Sequence, residues 1–273
     1  MLGAHPAAPR GLRRLQLGSR DLERSADFYR GLLGFDEVPV TSAGSRRTRL
    51  FTSGSVLIEV VAVGDAGDLN AGDLGGWVND DLQGGIRHFG MKVGNVDRQI
   101  GRLEAAGVTV ISAPTDVLGD VRIAFFLDPD GARLEFIQGN LAYQHVSSQQ
   151  LVAAEVAARL APDAGPRFDH VALTVSDLPS ALRFWCDRMG FEVIGEIRHH
   201  GDPRGFLMTY LQAGPAVLEV FSFDVPVSAH DLSAEDMSLL GFRGVGLALD
   251  NPAATDMHLV APGGVPLTCE ESS

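Results

Sequence analysis

The chain has little cysteine and no long apolar run. Its 273 residues include two cysteines, Cys186 and Cys269, which lie far apart in the sequence and exclude a disulfide framework. No stretch of eighteen apolar residues occurs, so we expect no membrane span and no membrane partner. The N-terminal sequence MLGAHPAAPRGLRRLQL lacks the apolar core of a signal peptide. These absences predict a protein of the cytoplasm.

Positive charge and aromatic residues are also scarce. There are 22 Lys and Arg against 35 Asp and Glu, a formal net charge of −13. Such an acidic surface repels phosphate backbones, which argues against a nucleic acid partner. With 14 Phe, 3 Tyr and 2 Trp, the composition also disfavours an aromatic-lined binding groove. The remaining composition, 45% hydrophobic and 21% charged, is typical of a globular protein of about two domains.

The sequence repeats one unit. The segments RRLQLGSRDLERSADFYRGLLGFDEV and DHVALTVSDLPSALRFWCDRMGFEV share an Asp-Leu pair and a Gly-Phe pair at identical spacing. The pattern of each segment predicts a strand, then a helix, then further strands. Asp21 and Asp177 are suited to cap the helix N-termini, and Gly34 and Gly190 stand where a helix ends in a left-handed residue. The pattern therefore predicts a strand–helix–strand–strand–strand unit.

Four copies of the unit are present, of which the last is shortened. Each closes with a turn and an apolar strand, most clearly in DPDGARLEFIQ. In the last copy FRGVGLALDNP is the first strand and MHLVAPGGVPLTCEE resembles the final two, with too few residues between them for a helix and a second strand. The predicted units span residues 10–64, 85–140, 167–224 and 242–273.

We predict two domains, 10–140 and 167–273, joined by a helical linker at 141–166 that contains SSQQLVAAEVAARLA. Residues 64–84 and 224–241 are interpreted as the other two connectors, the second with a short helical turn at SAEDM. All three connectors are expected only to join the units and to form the rims of the predicted funnels.

Strand alternation places ligand-type residues on one face of the predicted sheets. In FDHVALTVSDL and IRHFGMKVGNV, His170 and His88 oppose the apolar positions, and Gly90 and Ala172 beside them leave room for a ligand. In the closing strands Glu135, Glu219 and Glu59 oppose the apolar set in the same way. For any one such Glu, a salt bridge is as good an explanation as a metal-ligand role. For a single inward-facing His, a structural position in the core is the better explanation. Two His and two Glu together indicate one divalent transition metal ion, for which Ni, Co, Zn, Mn and Fe are candidates.

The motifs DPDGARLEF and DHVALTVSDL resemble those of the vicinal oxygen chelate superfamily, which includes glyoxalase I, methylmalonyl-CoA epimerase, extradiol dioxygenases and the fosfomycin and bleomycin resistance proteins. The resemblance covers nearly the whole chain. It implies an α+β fold of βαβββ units, paired into two open, funnel-like eight-stranded mixed sheets. It also implies that each unit offers one ligand from its first strand and one from its last.

Two pairings of the units follow from the resemblance. The positions carried over, unit by unit, are Arg14 with Glu59, His88 with Glu135, His170 with Glu219, and Gly244 with Thr268. Arginine does not bind metal, and Gln16 on the same face is a weak substitute. Pairing of neighbours gives a site that includes Glu59. Pairing of units two and three gives the quartet His88, Glu135, His170 and Glu219, with a silent pocket between units one and four. We favour the second pairing, because it explains which positions lost their ligands.

The quartet predicts a glyoxalase- or epimerase-like enzyme for a small molecule with vicinal oxygens. Glu135 or Glu219 would remove a proton alpha to a carbonyl to give an enediolate that the metal stabilises. An Fe(II)-dependent extradiol-type dioxygenase is the alternative, with His199, His200 and Tyr210 near its site, although RHHGDPR also fits a plain polar hairpin. A non-catalytic antibiotic-binding resistance protein is the third possibility. We expect a monomer or a homodimer.

Overall fold

The computed structural model contains two mixed β-sheets with few helices, an α+β fold as predicted. The second and third units form one sheet of nine strands, and the first and fourth units form another of seven. The structure describes residues 9–40, 47–54, 56–64, 74, 76–230, 239–249 and 258–271.

Units one and two follow the predicted element order. The first comprises β1 (Pro9–Ser19), α1 (Leu22–Ala26), a π-helical turn (Asp27–Leu32), β2 (Asp36–Val38), β3 (Thr48–Thr52) and β4 (Leu57–Ala62). The second comprises β5 (Gly85–Lys92), α2 (Val96–Ala105), β6 (Val110–Asp116), β7 (Arg122–Leu127) and β8 (Arg133–Gln138). The linker adds β9 (His145–Val146) and α3 (Gln149–Ala157). The segment predicted as a helical linker thus contains one helix.

Unit three is complete, whereas unit four has three described strands. The third comprises β10 (Arg167–Thr174), α4 (Leu178–Leu182), a π-helical turn (Arg183–Arg188), β11 (Glu192–Arg198), β12 (Leu207–Ala213) and β13 (Ala216–Ser222). The fourth comprises β14 (Gly241–Leu249), β15 (His258–Ala261) and β16 (Val265–Glu271), which matches the predicted shortened copy. The helical turn expected at SAEDM lies outside the described residues.

The ends of the helices follow from single residues. The Asp21 carboxylate accepts hydrogen bonds from the Glu23 and Arg24 amides, and Asp177 accepts one from Ser180. Gly34 and Gly190 both have φ of 75°, the left-handed conformation that ends a helix at little cost only in glycine. The same caps at the same spacing explain why the first and third units carry the same short helix and π-helical turn.

The pairing of units two with three and one with four is confirmed. Strand β5 runs antiparallel to β10, and β1 runs antiparallel to β14. The strand orders are β6-β7-β8-β5-β10-β13-β12-β11-β9 and β15-β16-β14-β1-β4-β3-β2. The counts of nine and seven correct the expected eight and eight. The linker strand β9 extends one sheet by hydrogen bonding to β11. In the described part of the chain, the fourth unit contributes three strands to the other sheet.

One face of each sheet packs against the helices to form the core. The apolar positions predicted by alternation, such as Phe89, Met91, Leu134 and Phe136, are buried there with Trp185. The opposite face of the nine-stranded sheet is therefore left for the polar set. Each sheet combines one unit from residues 10–140 with one from 167–273, so the two chain segments interleave. The predicted domain boundaries stay a prediction.

Two further sequence expectations bear on the described chain. Cys186 and Cys269 do not form a disulfide bond. Among the described residues, no helix combines the length and the apolar character that crossing a membrane requires.

Candidate metal centre

The four ligand-type side chains converge on the concave face of the nine-stranded sheet. His88, Glu135, His170 and Glu219 are all buried, and one ligand atom from each lies within 4.8 Å of the others. They reach this point from four neighbouring strands, β8, β5, β10 and β13. Residues 35 to 131 positions apart in the chain are therefore brought together by strand pairing, as the alternation of the strands predicted.

The register of the central strands sets the spacing of the two histidines. Gly90 on β5 lies opposite His170, and Ala172 on β10 lies opposite His88. The parallel neighbours Glu135 and Glu219 align with Gly90 and Ala172 in turn. Each histidine therefore lies diagonally opposite the other across the antiparallel pair β5 and β10, and close to a carboxylate.

Gly90 makes room for His170, not for a ligand as the sequence had suggested. A β-carbon at position 90 would overlap the imidazole ring of His170. Ala172 likewise packs against Phe206 and Phe221, so its small size makes room for aromatic side chains. The small residues on this face therefore position the protein's own groups.

The distances between the ligand atoms are short. The Nε2 atoms of His88 and His170 are 3.1 Å apart. Glu135 Oε2 lies 3.2 Å from His88 Nε2 and 2.9 Å from His170 Nε2. Glu219 Oε2 lies 3.5 Å from each of the same two nitrogens. Glu135 is therefore held tightly between the histidines, whereas Glu219 is held more loosely.

The buried charges of this cluster require a compensating cation. Burial opposes ionisation of Glu135, but hydrogen bonds from His170 and His88 outweigh it and lower the pKa to about 2. Burial also opposes protonation of His170, yet hydrogen bonds to Asp169 and Glu135 and the charge of Glu219 raise its pKa well above the ordinary value. A proton on His170 or a bound cation meets this demand. Two imidazole nitrogens and two carboxylates are a donor set that fits a divalent transition metal.

The two histidines are supported differently on their far sides. Asp169 Oδ2 lies 3.0 Å from His170 Nδ1, which fixes a proton there and leaves Nε2 directed at the cluster. Arg133 Nη2 lies 3.4 Å from His88 Nδ1. Arg133 is itself held by Asp81 and Asn79 at 2.6 and 2.9 Å. His170 therefore has the carboxylate support that metal-binding histidines commonly have.

A cavity of about 230 Å³ opens beside the four ligand-type residues. Its walls are mainly apolar and include Phe125, Phe206, Phe221, Tyr143 and Tyr210. This corrects the expectation that the protein lacks a stacking surface. The overall aromatic content is low, but five of the 19 aromatic residues line this one cavity, among them two of the three tyrosines.

The connectors form part of the cavity, which the sequence analysis missed. Tyr143 and Glu155 of the linker line it, and the Tyr143 hydroxyl donates to Glu155 at 2.8 Å. Lys92 Nζ lies 3.4 Å from Glu155 on the concave face. The signal was present in the sequence, because a lysine expected on that face needs an acidic partner from another segment. Asp81 of the connector between units one and two lines the cavity as well.

Comparison with known proteins identifies the superfamily to which this fold corresponds. The sequence model of the Glyoxalase/Bleomycin resistance protein/Dioxygenase superfamily matches residues 11–136 and 167–258. The chain belongs to this superfamily. The resemblance inferred from the DPDGARLEF and DHVALTVSDL motifs is confirmed.

Individual proteins and one solved structure are also similar to this chain. The chain is 34% identical over 116 residues to the anthracycline biosynthesis protein DauV of Streptomyces sp. (strain C5), a match covering 42% of each protein. It is 30% identical over 121 residues to the uncharacterized protein YwkD of Bacillus subtilis (strain 168), covering 43% of this chain and 88% of YwkD. Glyoxalase I from Zea mays superposes with a TM-score of 0.67 at 16% identity, over 96% of this chain and 92% of that one. This last likeness shows the fold.

The superfamily positions in units one and four do not form a second such cluster in the described residues. Glu59 Oε2 pairs with Arg14 at 3.1 Å and accepts a hydrogen bond from Gln16 at 3.0 Å. A β-carbon at Gly244 would contact the Pro266 carbonyl closely, and Thr268 lies 3.5 Å from the Val245 carbonyl. Glu59, the alternative ligand, therefore lies in the other sheet with a different partner.

The residues considered for a dioxygenase separate into two groups. His199 lines the cavity and stacks on Phe206 at 4.8 Å with the rings 8° apart, so RHHGDPR is more than a polar hairpin. Tyr210 also lines the cavity, where burial and the nearby charge of Glu219 raise its pKa well above 10. His200 does not line the cavity and is exposed.

Proposed function

We propose that the chain is a metal-dependent enzyme of the glyoxalase and epimerase type. Its substrate would be a small molecule with vicinal oxygens, from which a proton alpha to a carbonyl is removed. The observation that carries the proposal is the convergence of two histidines and two buried carboxylates at the wall of a largely apolar cavity. Superfamily membership supports an enzyme that acts on a small molecule.

His88, Glu135, His170 and Glu219 would hold one divalent ion, with Ni, Co, Zn, Mn and Fe as candidates. When bound, the ion polarises a carbonyl oxygen of the substrate and makes the adjacent carbon more acidic. The protein supplies the base. Glu219 is better suited than Glu135, because its carboxylate lies farther from both histidines and is therefore freer to take a proton. Glu135 holds the histidines in place.

The apolar walls have a second role in this proposal. They exclude water, which otherwise competes as proton donor and acceptor. Tyr210 and Phe221 belong to this wall next to Glu219. The name of the DauV relative, an anthracycline biosynthesis protein, is consistent with an organic small molecule as substrate. We also propose a cytoplasmic location, in keeping with two cysteines, Cys186 and Cys269, that do not form a disulfide bond.

The test combines metal analysis with solvent exchange. We expect one ion per chain in purified protein, lost in His170→Ala and retained in the matched variant Glu59→Gln from the other sheet. We then expect anaerobic exchange of the alpha proton of a hydroxyketone with deuterium, abolished in Glu219→Gln. Retention of stoichiometric metal in His170→Ala together with its loss in Glu59→Gln would overturn the site.

An Fe(II)-dependent extradiol-type dioxygenase remains the second candidate, because two histidines and one carboxylate of the cluster are its ligand set. The position of His199 and Tyr210 at the cavity favours it over a plain structural cluster. Activity that requires ferrous iron and consumes oxygen would replace the first proposal. Tight binding of an aromatic antibiotic without turnover would instead favour a resistance protein, for which the aromatic wall is suited.

A further inference from the structure

The volume, the charges and the aromatic side chains of the cavity bear on the class of vicinal-oxygen compound that it would accept. Resting on the function proposed above, we infer that its substrate is an uncharged, ring-sized α-hydroxyketone that carries no anionic handle such as glutathione or coenzyme A. Three properties of the cavity carry this inference: its volume, the pairing of its charges and the position of its aromatic side chains.

The volume sets the size of the group that can be enclosed. An apolar cavity of about 150 Å³ accommodates a benzene molecule. The cavity here, at about 230 Å³, therefore holds one ring with a short oxygenated substituent. A multi-ring system or a peptide carrier would have to remain outside it, in contact with the rim. That rim includes Val117 and Leu118, whose exposed side chains are apolar.

The charges of the lining do not favour an anion. Among the described lining residues, Lys and Arg are represented by Arg133 alone, and its guanidinium is already bound by Asp81 at 2.6 Å. Glu155 and Asp169 add negative charge to the same lining. A carboxylate or phosphate of a carrier would therefore meet acidic groups and lose its hydration without a new counter-charge. The formal net charge of −13 acts in the same direction at longer range.

The aromatic wall lies directly against the ligand-type histidine of unit two. The ring of His88 lies 5.3 Å from that of Phe125 and 5.9 Å from that of Phe221, measured between centroids. Phe206 meets Phe221 edge to face at 4.9 Å. A molecule whose two oxygens reach the four-residue cluster thus places its adjacent atoms among aromatic faces, where a ring is favoured over a polar chain.

The reaction on such a substrate balances without a co-reactant. Glu219 takes the proton from the carbon that bears the hydroxyl, and the C–H electrons form a carbon–carbon double bond while the carbonyl electrons move to oxygen. Return of the proton to the same carbon inverts or restores its configuration. Delivery to the neighbouring carbon, with proton exchange between the two oxygens, moves the carbonyl by one position.

Ligand binding tests the inference apart from turnover. Protein loaded with Co(II) is titrated with benzohydroxamate, a ring-sized ligand with two adjacent oxygens, and with acetohydroxamate, which lacks the ring. The visible spectrum of the cobalt reports binding. We expect benzohydroxamate to bind at least about tenfold more tightly, as burial of a phenyl group predicts. Equal affinities would overturn the inference.

A pair of matched variants locates the ring. Ile123 lines the cavity, whereas Ile111 is exposed and does not line it. Ile123→Trp should fill the cavity and weaken benzohydroxamate about tenfold, with acetohydroxamate affinity and cobalt content unchanged. Ile111→Trp should change none of the three. A benzohydroxamate affinity that is the same in both variants would place the ring elsewhere and overturn the inference.

Deuterium exchange separates failure of this inference from failure of the proposed function. We expect exchange of 2-hydroxyacetophenone and none of the hemithioacetal of glutathione with methylglyoxal or of methylmalonyl-CoA. Exchange of a carrier-linked substrate without exchange of 2-hydroxyacetophenone overturns the inference and leaves the proposed function intact. No exchange of any substrate by metal-loaded protein overturns the proposed function, while the hydroxamate affinities still decide what the cavity accepts.

Discussion

The imidazole ring of His170 occupies the space that a side chain at Gly90 would fill. Because these two residues lie opposite each other on β5 and β10, the smallest residue on one strand determines the position of a ligand-type residue on the next. Gly90→Ala should push the ring off the cluster and weaken Co(II) binding by about tenfold or more, an effect like that of lost supporting contacts. Isothermal titration with Co(II) measures it.

Gly101→Ala is a suitable control for this substitution, since nothing lies near the β-carbon it would add. The metal affinity of the control should equal that of the wild type. A Gly90→Ala protein with unchanged affinity would mean that His170 does not hold the ion.

The carboxylate of Asp169 orients His170 through its Nδ1 atom. In Asp169→Asn this charge is lost, so we expect metal affinity to fall about 10- to 100-fold. Asp169→Glu keeps the charge and should recover part of the affinity. Competition with a chelator measures both. Equal losses in the two variants would indicate that Asp169 acts only through packing.

Asp128 makes the stability of the folded chain depend on pH. Burial, with the nearby charge of Asp130, raises its pKa from 3.8 to about 6. The folded state thus holds this proton more tightly than the unfolded state. The resulting stability is full below about pH 4 and is lost as the pH rises to 6, an amount of about 3 kcal/mol.

Asp128→Asn removes this ionisation. We therefore expect the free energy of unfolding of the variant, relative to wild type, to rise by about 3 kcal/mol between pH 4 and pH 7. Urea denaturation at both values, with the protein kept in one metal state, measures the difference. A difference that does not change with pH would show that Asp128 titrates at its ordinary pKa.

Arg14 should matter for stability and not for metal binding. Its ion pair with Glu59 at 3.1 Å lies in the seven-stranded sheet, and both side chains are mostly buried. Arg14→Met leaves the Glu59 carboxylate with the Gln16 amide as a neutral donor, at a cost of about 1–2 kcal/mol in unfolding free energy. Metal content should stay at one per chain. A second ion bound in this variant would contradict the assignment of this sheet as silent.

The four ligand-type residues could be predicted because alternation is a local property of a strand. Glu135 stands between the apolar Leu134 and Phe136, and His88 alternates with Phe89 and Met91, so the pattern fixes the face to which each points. The choice of partner unit also followed from local facts, since Gly244 and Thr268 cannot ligate a metal.

The cavity could not be predicted in the same way. Phe125, Phe206 and Tyr143 come from three distant segments, and the average composition carries no information about their convergence. The contact between Lys92 and Glu155 could not be predicted either, because it depends on how the linker helix packs against the sheet. The edge strand β9 is only two residues long, too short for alternation to be visible.

The closest approach between His88 and His170 joins residues 82 positions apart in the chain. The contact crosses the seam between β5 and β10, where two units encoded far apart meet. Any ion held between them acts as a cross-link that closes this long loop and restricts the unfolded chain, as a disulfide would. A protein whose two cysteines form no disulfide bond can in this way make the docking of its two chain segments depend on metal supply.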